Sequence, residues 1–345
     1  MRKQDVKSMT LEELEVLLGD LGEPKFRAKQ IFDWLHQKQV DEFSAMTNLS
    51  KSLREKLEAE CKISKLEVVQ KQESKDGTTK YLFALENDKL IESVLMRYGY
   101  GNAVCVSTQV GCRMGCKFCA STLDGVEGNL TAGEMLSQVY QIQKDIGERV
   151  GSVVLMGSGE PLDNYDNTVR FIRLLNDPKG QALGQRHITL STCGLIERIH
   201  QLQEENLQIT LAVSLHAPND EIRNEIMPIS RKNHMEELLL VCKQYGDFTK
   251  RRVTFEYALI RGVNDMPSCA EELAGRLHNM LCHVNLIPVN DVKERNFYRS
   301  SEETIETFAQ ILRSHGIETT VRRKLGSDIN AACGQLRKGH RAGGR

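Results

Sequence analysis

Along residues 8–60, apolar positions recur at helical spacing. Leu14, Leu17, Leu18 and Leu21 fall at i, i+3, i+4 and i+7, and the T-x-x-E of Thr10 and Glu13 ahead of them is a capping box. Pro24 suits the first turn of a second helix carrying Phe26, Ile31, Phe32 and Leu35, because a helix start leaves that N–H unused. A third helix is predicted from Ser50 through Leu53 and Leu57, which makes residues 1–62 a helical accessory domain. The period then changes. Over 63–102, runs rich in Val, Leu, Ile and Tyr are broken by Lys75-Asp76-Gly77 and Glu86-Asn87-Asp88, which is turn chemistry. Antiparallel strands are expected near 66–72, 79–85 and 89–97, as a short β-rich linker region.

From 103 to about 290, strand-like runs alternate with amphipathic ones: VCVST, SVVLM, HITLST, TLAVSL, VTFEYALI and CHVNLIP. This is the pattern of an α/β chain built from βαβ units on a parallel sheet. Six units without G-x-G-x-x-G after the first strand favour a partial, open (β/α)6 barrel over a dinucleotide-binding fold, with the core domain spanning 103–320. In such barrels chemistry sits after the strands. The unusual residues do follow strands: a cysteine cluster, Gly157–Pro161, Thr192–Gly194, His216 and Asn290.

Composition adds limits. With 345 residues, 40% hydrophobic and 27% charged, the chain has the make-up of a globular protein, and no apolar run approaches the roughly 18 residues of a membrane span. Asp5, Glu12, Glu13 and Glu15 interrupt any signal-peptide apolar core, so a cytoplasmic, membrane-free monomer is expected. A net charge of −1 gives no overall footprint for nucleic acid. The segment 321–345 is the exception, with Arg322, Arg323, Lys324, Arg337, Lys338, Arg341 and Arg345 against Asp328 alone. It suits either phosphate contacts or a solvated terminus. Ten cysteines are many for a reducing compartment, where clustered thiols bind metal or do redox chemistry.

Four of the ten lie between Cys105 and Cys119, and three of these form C-x3-C-x2-C at Cys112, Cys116 and Cys119 on a Gly-punctuated loop. Three thiolates on a four-iron cubane leave one iron open to a ligand. Zinc would want a fourth ligand from a second motif nearby, and a ferredoxin uses a different register with a fourth cysteine. With Phe118 before the last cysteine, the motif resembles that of the radical S-adenosylmethionine (SAM) superfamily, and Ser158–Gly159–Glu160–Pro161 resembles its segment that receives the SAM amino group. The resemblance implies a [4Fe–4S] cluster and SAM as cofactors.

Further segments extend the likeness from about residue 10 to 340: CVSTQVGC at 105–112, SLHAP at 214–218, HVNLIPVN at 283–290 and AACGQL at 331–336. Together these resemble the RlmN/Cfr family of radical SAM RNA methyltransferases. Family likeness implies that Cys333 takes a methyl group from one SAM. A hydrogen is then abstracted from that S-methyl group with a second SAM, and the carbon adds to the base. Cys105 resolves the adduct through a transient disulfide with Cys333, and Glu92 accepts the proton. Gly159, Glu160, Ser191, Ser214, Leu215, His216 and Asn290 match the SAM-binding positions. Each has a plainer reading as well: Cys105 as strand packing, Glu92 as a solvent-facing strand residue, His216 and Asn290 as satisfied polar groups under a barrel rim. Cys61, Cys193, Cys242, Cys269 and Cys282 are read as structural.

Val110, FCAST at 118–122 and GEPL at 159–162 look RlmN-like, which implies methylation of C2 of adenosine 2503 in 23S rRNA and of adenosine 37 in tRNA. The alternatives are Cfr-type methylation at C8, a radical SAM enzyme for a small molecule, and a non-enzymatic metal-cluster protein that binds RNA. The N-terminal helical domain and the basic tail are the candidates for holding RNA, and a flavodoxin or ferredoxin is the implied reductant. Ser158, Cys193 and Asn330 depart from the usual family residues, and none of the three removes a ligand or a radical-chemistry residue.

Overall fold

The computed structural model describes residues 3–289, 297–323, 325–329 and 331. Its N-terminal part holds β1 (Gln4–Asp5), α1 (Leu11–Asp20), α2 (Phe26–His36), α3 (Lys51–Glu60) and β2 (Cys61–Lys62), with β1 and β2 parallel. The Thr10–Glu13 capping box is formed in both directions, and Ser50 caps α3 by accepting from the Leu53 N–H.

Next come β3 (Glu67–Glu73), β4 (Thr79–Ala84), β5 (Leu90–Tyr98) and β6 (Gly101–Cys105), then the short pair β7 (Gln109–Gly111) and β8 (Val126–Asn129). Regular alternation follows: α4 (Ala132–Ile146), β9 (Val150–Leu155), α5 (Tyr165–Asn176), β10 (Ile188–Thr192), α6 (Ile196–Glu204) and β11 (Thr210–Ser214). It continues through α7 (Asp220–Ile226), α8 (Met235–Thr249), β12 (Val253–Leu259), α9 (Pro267–Leu277), β13 (Cys282–Pro288), α10 (Glu302–Ser314) and β14 (Glu318–Val321).

Ten strands form one sheet in the order β14-β13-β12-β11-β10-β9-β6-β5-β4-β3. From β6 to β14 all neighbours are parallel, joined by six helical crossovers, and the two edge strands do not pair with each other. That is an open (β/α)6 barrel. The six predicted strands are all present, and β14 adds a seventh parallel one. The antiparallel strands β3–β5 continue the same sheet, because β5 pairs with β6 with Val94 opposite Cys105.

The N-terminal helices share one continuous apolar core with the barrel, with Leu14, Phe32 and Leu35 in the same cluster as Leu136 and Tyr140. Polar pins fix the docking. Buried Lys7 reaches Asp41 Oδ1 and Ser137 Oγ, each at 3.0 Å, and His36 Nδ1 lies 2.9 Å from the Tyr140 hydroxyl. Burial pushes the Lys7 ammonium below its ordinary pKa, against the pull of Asp41. Among the described residues no helix is long and apolar enough to cross a membrane.

Candidate active site

The cysteine loop is tied off at its neck by β7 and β8. Cys112 N–H donates to the Gly125 carbonyl at 3.0 Å. Gly111 has φ +77°, and a Cβ there would lie 1.9 Å from that same carbonyl oxygen, so only glycine allows the strands to close. Inside the loop, Thr122 Oγ donates to the carbonyls of Cys116 (3.0 Å) and Cys119 (2.9 Å), and Lys117 N–H donates to Ile226 O at the end of α7 (2.9 Å). A fourteen-residue loop is thereby held as a cup with its thiols facing inward.

Cys112, Cys116 and Cys119 line one cleft, open at its mouth, together with Gly159, Glu160, Ser191, Ser214 and His216. Sequence reasoning nominated all eight. Burial pushes the Cys112 thiol up to about 12 and raises Cys116 further, each made worse by the neighbouring cysteines, so without a metal these groups are protonated and iron must displace their protons. Among the described residues no three ligand side chains converge on a single ion. Three soft donors spread round a cleft instead fit a cubane, in which each thiolate takes a different iron.

The other wall fits a cationic amine. Gly159 has φ +110°, and a Cβ would lie 2.7 Å from Thr108 Oγ1 and from the Gln109 backbone N, so the chain at this point is bare backbone facing the cleft. Glu160 is buried. Its Oε1 accepts from Leu162 N–H (3.0 Å) and its Oε2 from Cys193 N–H (2.7 Å). Burial raises its pKa against those bonds, and a cationic amine in the cleft would reverse that rise. Ser158 Oγ and Thr108 Oγ1, beside this cradle, are buried with no hydrogen-bond partner among the described residues.

His216 sits at φ +57°, in the left-handed region, just after β11. Asn264 Nδ2 holds it there by donating to the His216 carbonyl (2.6 Å). Its Nδ1 accepts from Ala258 N–H at 2.9 Å, so the neutral ring carries its proton on Nε2, and the edge of Phe118 packs on it with centroids 4.7 Å apart. Burial drops its pKa to about 3, helped by the nearby Arg223. Leu215 is buried behind this wall; its backbone donates to Glu256 O (3.0 Å) and accepts from Arg223.

Glu92 and Cys105 stand beside the cleft. They lie on one face of adjacent strands, since Cys105 opposes Val94 and Glu92 is two residues along β5. Glu92 is only 8% exposed and pairs with Lys80 on β4 at 3.1 Å, so the solvent-facing reading fails. Cys105 packs with Val94, Met96, Ala103 and Ala331, and Met156 belongs both to this cluster and to the cleft wall. Asn290 and Cys333 lie outside the described residues.

Two cleft groups and one anchor behind the cleft wall escaped the sequence reading. Glu256 on β12 was findable as a lone acid in the run VTFEYALI; it is buried, accepts from Asn285 Nδ2 (2.9 Å), and burial raises its pKa against the pull of Arg322. Arg322, assigned above to the basic tail, lines the cleft instead. Arg223 on α7 carried no local signal. Fully buried, it donates to the carbonyls of Cys193 (2.7 Å), Asn233 (3.1 Å), Leu215 (3.2 Å) and Ser214 (3.3 Å), tying together the loops after β10 and β11.

An open (β/α)6 barrel whose first loop offers three thiols to a cleft walled by Gly159 and Glu160 has the build of a radical SAM enzyme. Residues 106–274 match the radical SAM superfamily, and residues 4–63 match the ribosomal RNA large subunit methyltransferase N-terminal domain. The chain is 55% identical over 338 residues to a protein of Clostridium novyi named probable dual-specificity RNA methyltransferase RlmN, covering 98% of each. A relative of the same name from Lachnoclostridium phytofermentans is 53% identical, over 98% of this chain and 95% of that one. The crystal structure of a radical SAM methyltransferase from Sphaerobacter thermophilus superposes with a TM-score of 0.93 at 46% identity, over 97% of this chain and all of that one. The chain belongs to the RlmN family of radical SAM RNA methyltransferases, and its cofactors are a [4Fe–4S] cluster and SAM.

Proposed function

We propose that this enzyme methylates C2 of adenosine 2503 in 23S rRNA and of adenosine 37 in tRNA; relatives named dual-specificity RNA methyltransferase support a reading with two substrates. The observation that carries the reading is a packed cluster around Cys105 that adjoins the cofactor cleft through Met156. There a buried thiol, Cys105, and a buried carboxylate, Glu92, share one face of the sheet, and Ala331, two residues before Cys333, packs onto that thiol. A thiol partner at Cys105 is what a methyl carrier at Cys333 requires, and a carrier is needed because C2 of adenine is electron-poor and cannot itself attack a sulfonium methyl.

When bound, the cluster and SAM supply one-electron cleavage of a carbon–sulfur bond. Cys112, Cys116 and Cys119 hold three irons. Gly159 and Glu160 take the amine, and Ser191, Ser214, Leu215, His216 and Asn290 hold the rest of the cofactor, with the Nε2–H of His216 as a donor. In ping-pong order Cys333 would give up its thiol proton and take a methyl group from one SAM; with a second SAM bound, one hydrogen atom would leave that S-methyl group and its carbon would bond to C2 of the base. Glu92 would accept the C2 proton as the adduct returns one electron. The Cys105 thiolate would then attack the Cys333 sulfur, breaking the carbon–sulfur bond so that the released carbon takes a proton and becomes the methyl group, and external thiols would reduce the disulfide. The enzyme acts as a cytoplasmic monomer supplied with electrons by a flavodoxin or ferredoxin. RNA is held by the N-terminal helices and the tail, where exposed Phe26 carries Arg27 over its ring at 4.8 Å, a face suited to bases and phosphates.

Nucleoside mass spectrometry of rRNA and tRNA from cells with and without the protein tests this. 2-Methyladenosine should disappear from both. Loss of 8-methyladenosine instead would move the chain to the Cfr-type reaction, and no change in either would refute the reading.

A further inference from the structure

The turn between β3 and β4 does more than reverse the chain. Asp76 Oδ1 accepts from Thr78 N–H at 2.9 Å, the bond that closes an Asx turn. Its other oxygen, Oδ2, accepts from the N–H of Gly326 at 2.8 Å, 250 residues away. The C-terminal segment replies in kind. Asp328 Oδ1 accepts from Ser74 Oγ–H at 2.5 Å and its Oδ2 from Lys75 N–H at 3.3 Å. Each segment thus spends an aspartate on the other's donors. Gly326, at φ +60°, leaves no room for a side chain, since a Cβ would lie 2.8 Å from Ala331 Cβ and 2.9 Å from Thr78 Cγ2. Its carbonyl accepts from Ala331 N–H at 2.9 Å, and Ala331, with Leu325 and Ile329 beside it, packs into the apolar cluster of Cys105, Val94 and Met96. A hairpin has no need of these bonds. They order a segment near the chain's end.

We propose that the Ser74–Thr78 turn is a dock that seats Gly326, Asp328 and Ala331 and so delivers Cys333 to Cys105, with Asp76 and Asp328 as positioning residues. From Ala331, two residues of chain reach at most about 7 Å. The proposal rests on the reading of Cys333 as methyl carrier and Cys105 as its disulfide partner. It accounts for an aspartate on a surface turn that touches neither cofactor nor base.

The test uses the reconstituted holoenzyme. Asp76→Asn keeps an acceptor for Thr78 N–H but sets an amide NH2 against Gly326 N–H, so the turn survives while the dock is lost. Asp328→Ala attacks the same contact from the other side. Hydrogen exchange over 326–331 reads dock occupancy. Reactions run without added thiol leave one Cys105–Cys333 disulfide per turnover, countable by mass spectrometry. Both variants should exchange at least tenfold faster at 326–331 and form disulfide and methylated RNA at least tenfold more slowly, with iron content and SAM affinity unchanged. Wild-type exchange in both variants overturns the dock. Faster exchange with wild-type disulfide yield overturns delivery. Full RNA methylation by Cys333→Ala enzyme overturns the reading beneath, and delivery with it, even where exchange shows the dock intact.

Discussion

Replacing Arg223 by methionine should cost about 3 kcal/mol of stability and loosen the cofactor wall at the same time. Methionine keeps most of the buried aliphatic volume, so the change falls on the guanidinium. That group donates to four carbonyls at 2.7–3.3 Å, and each hydrogen bond from a charged donor is worth roughly 1.5 kcal/mol or more when its acceptor is left stranded, about 6 kcal/mol in all. Roughly half returns, because the variant no longer buries a cation whose pKa burial already depresses. In a chain of this size 1 kcal/mol moves Tm by about 2 °C, so anaerobic thermal unfolding followed by circular dichroism should fall by about 6 °C. The Cys193 carbonyl is one of the four, and the Cys193 N–H holds Glu160, so SAM affinity by equilibrium dialysis should drop more than tenfold. A Tm within about 2 °C of wild type together with unchanged SAM binding would refute the reasoning.

Gly159→Ala should fold with its cluster in place but lose SAM binding, because the added methyl must displace Thr108 and Gln109 from the cradle; retained affinity by dialysis contradicts the assignment. Cys116→Ala should reconstitute with under half the wild-type iron and lack the wild-type electron paramagnetic signal on reduction, and normal iron content would remove this cysteine from the ligand set. Acid should destabilise the fold before its carboxylates titrate. His36 and His216 are both buried neutral, each with its pKa depressed to about 3 by burial and, secondarily, by Lys7 and Arg223 respectively. For a base with a lowered folded pKa, stability is fully present above the unfolded value near 6.5 and drains as pH falls toward 3, here by up to about 2.7 kcal/mol per pH unit with two protons taken up on unfolding. Urea midpoints from pH 7 to 4.5 should fall accordingly, with half the slope in His36→Phe protein; a flat profile to pH 5 counts against it.

Local chemistry was legible in the sequence wherever a residue's neighbours along the chain decide its role. The Thr10 and Ser50 caps, the six barrel strands and the gathering of three loop thiols in one cleft read correctly, because capping, strand-forming runs and close spacing along a loop are short-range properties. Strand β14 did not read, since Glu318–Val321 is four residues of mixed polarity whose pairing with β13 comes only from tertiary packing. Arg223 was invisible for a related reason. In the run DEIRNEI it looks like an ordinary charged helix position, and only the convergence of two loops on it makes it an internal anchor.

The antiparallel strands illustrate the point most sharply. Their alternation and turns predicted a linker, and every predicted strand exists, yet alternation says nothing about which sheet a hairpin joins. Pairing β5 to β6 is what matters, because β6 ends at Cys105 and is the first barrel strand, whose following loop carries the thiol cup. One edge of the barrel is thereby extended into a wall on which Glu92 and Cys105 share a face, and the turn farther out along the extension reaches the segment that leads to Cys333. A barrel with the same cleft but no such extension would still hold a cluster and SAM. Cys105 would keep its place on β6 but lose Val94 and Met96 as packing partners, Glu92 as a neighbour on the same face, and the turn that Gly326 and Asp328 reach.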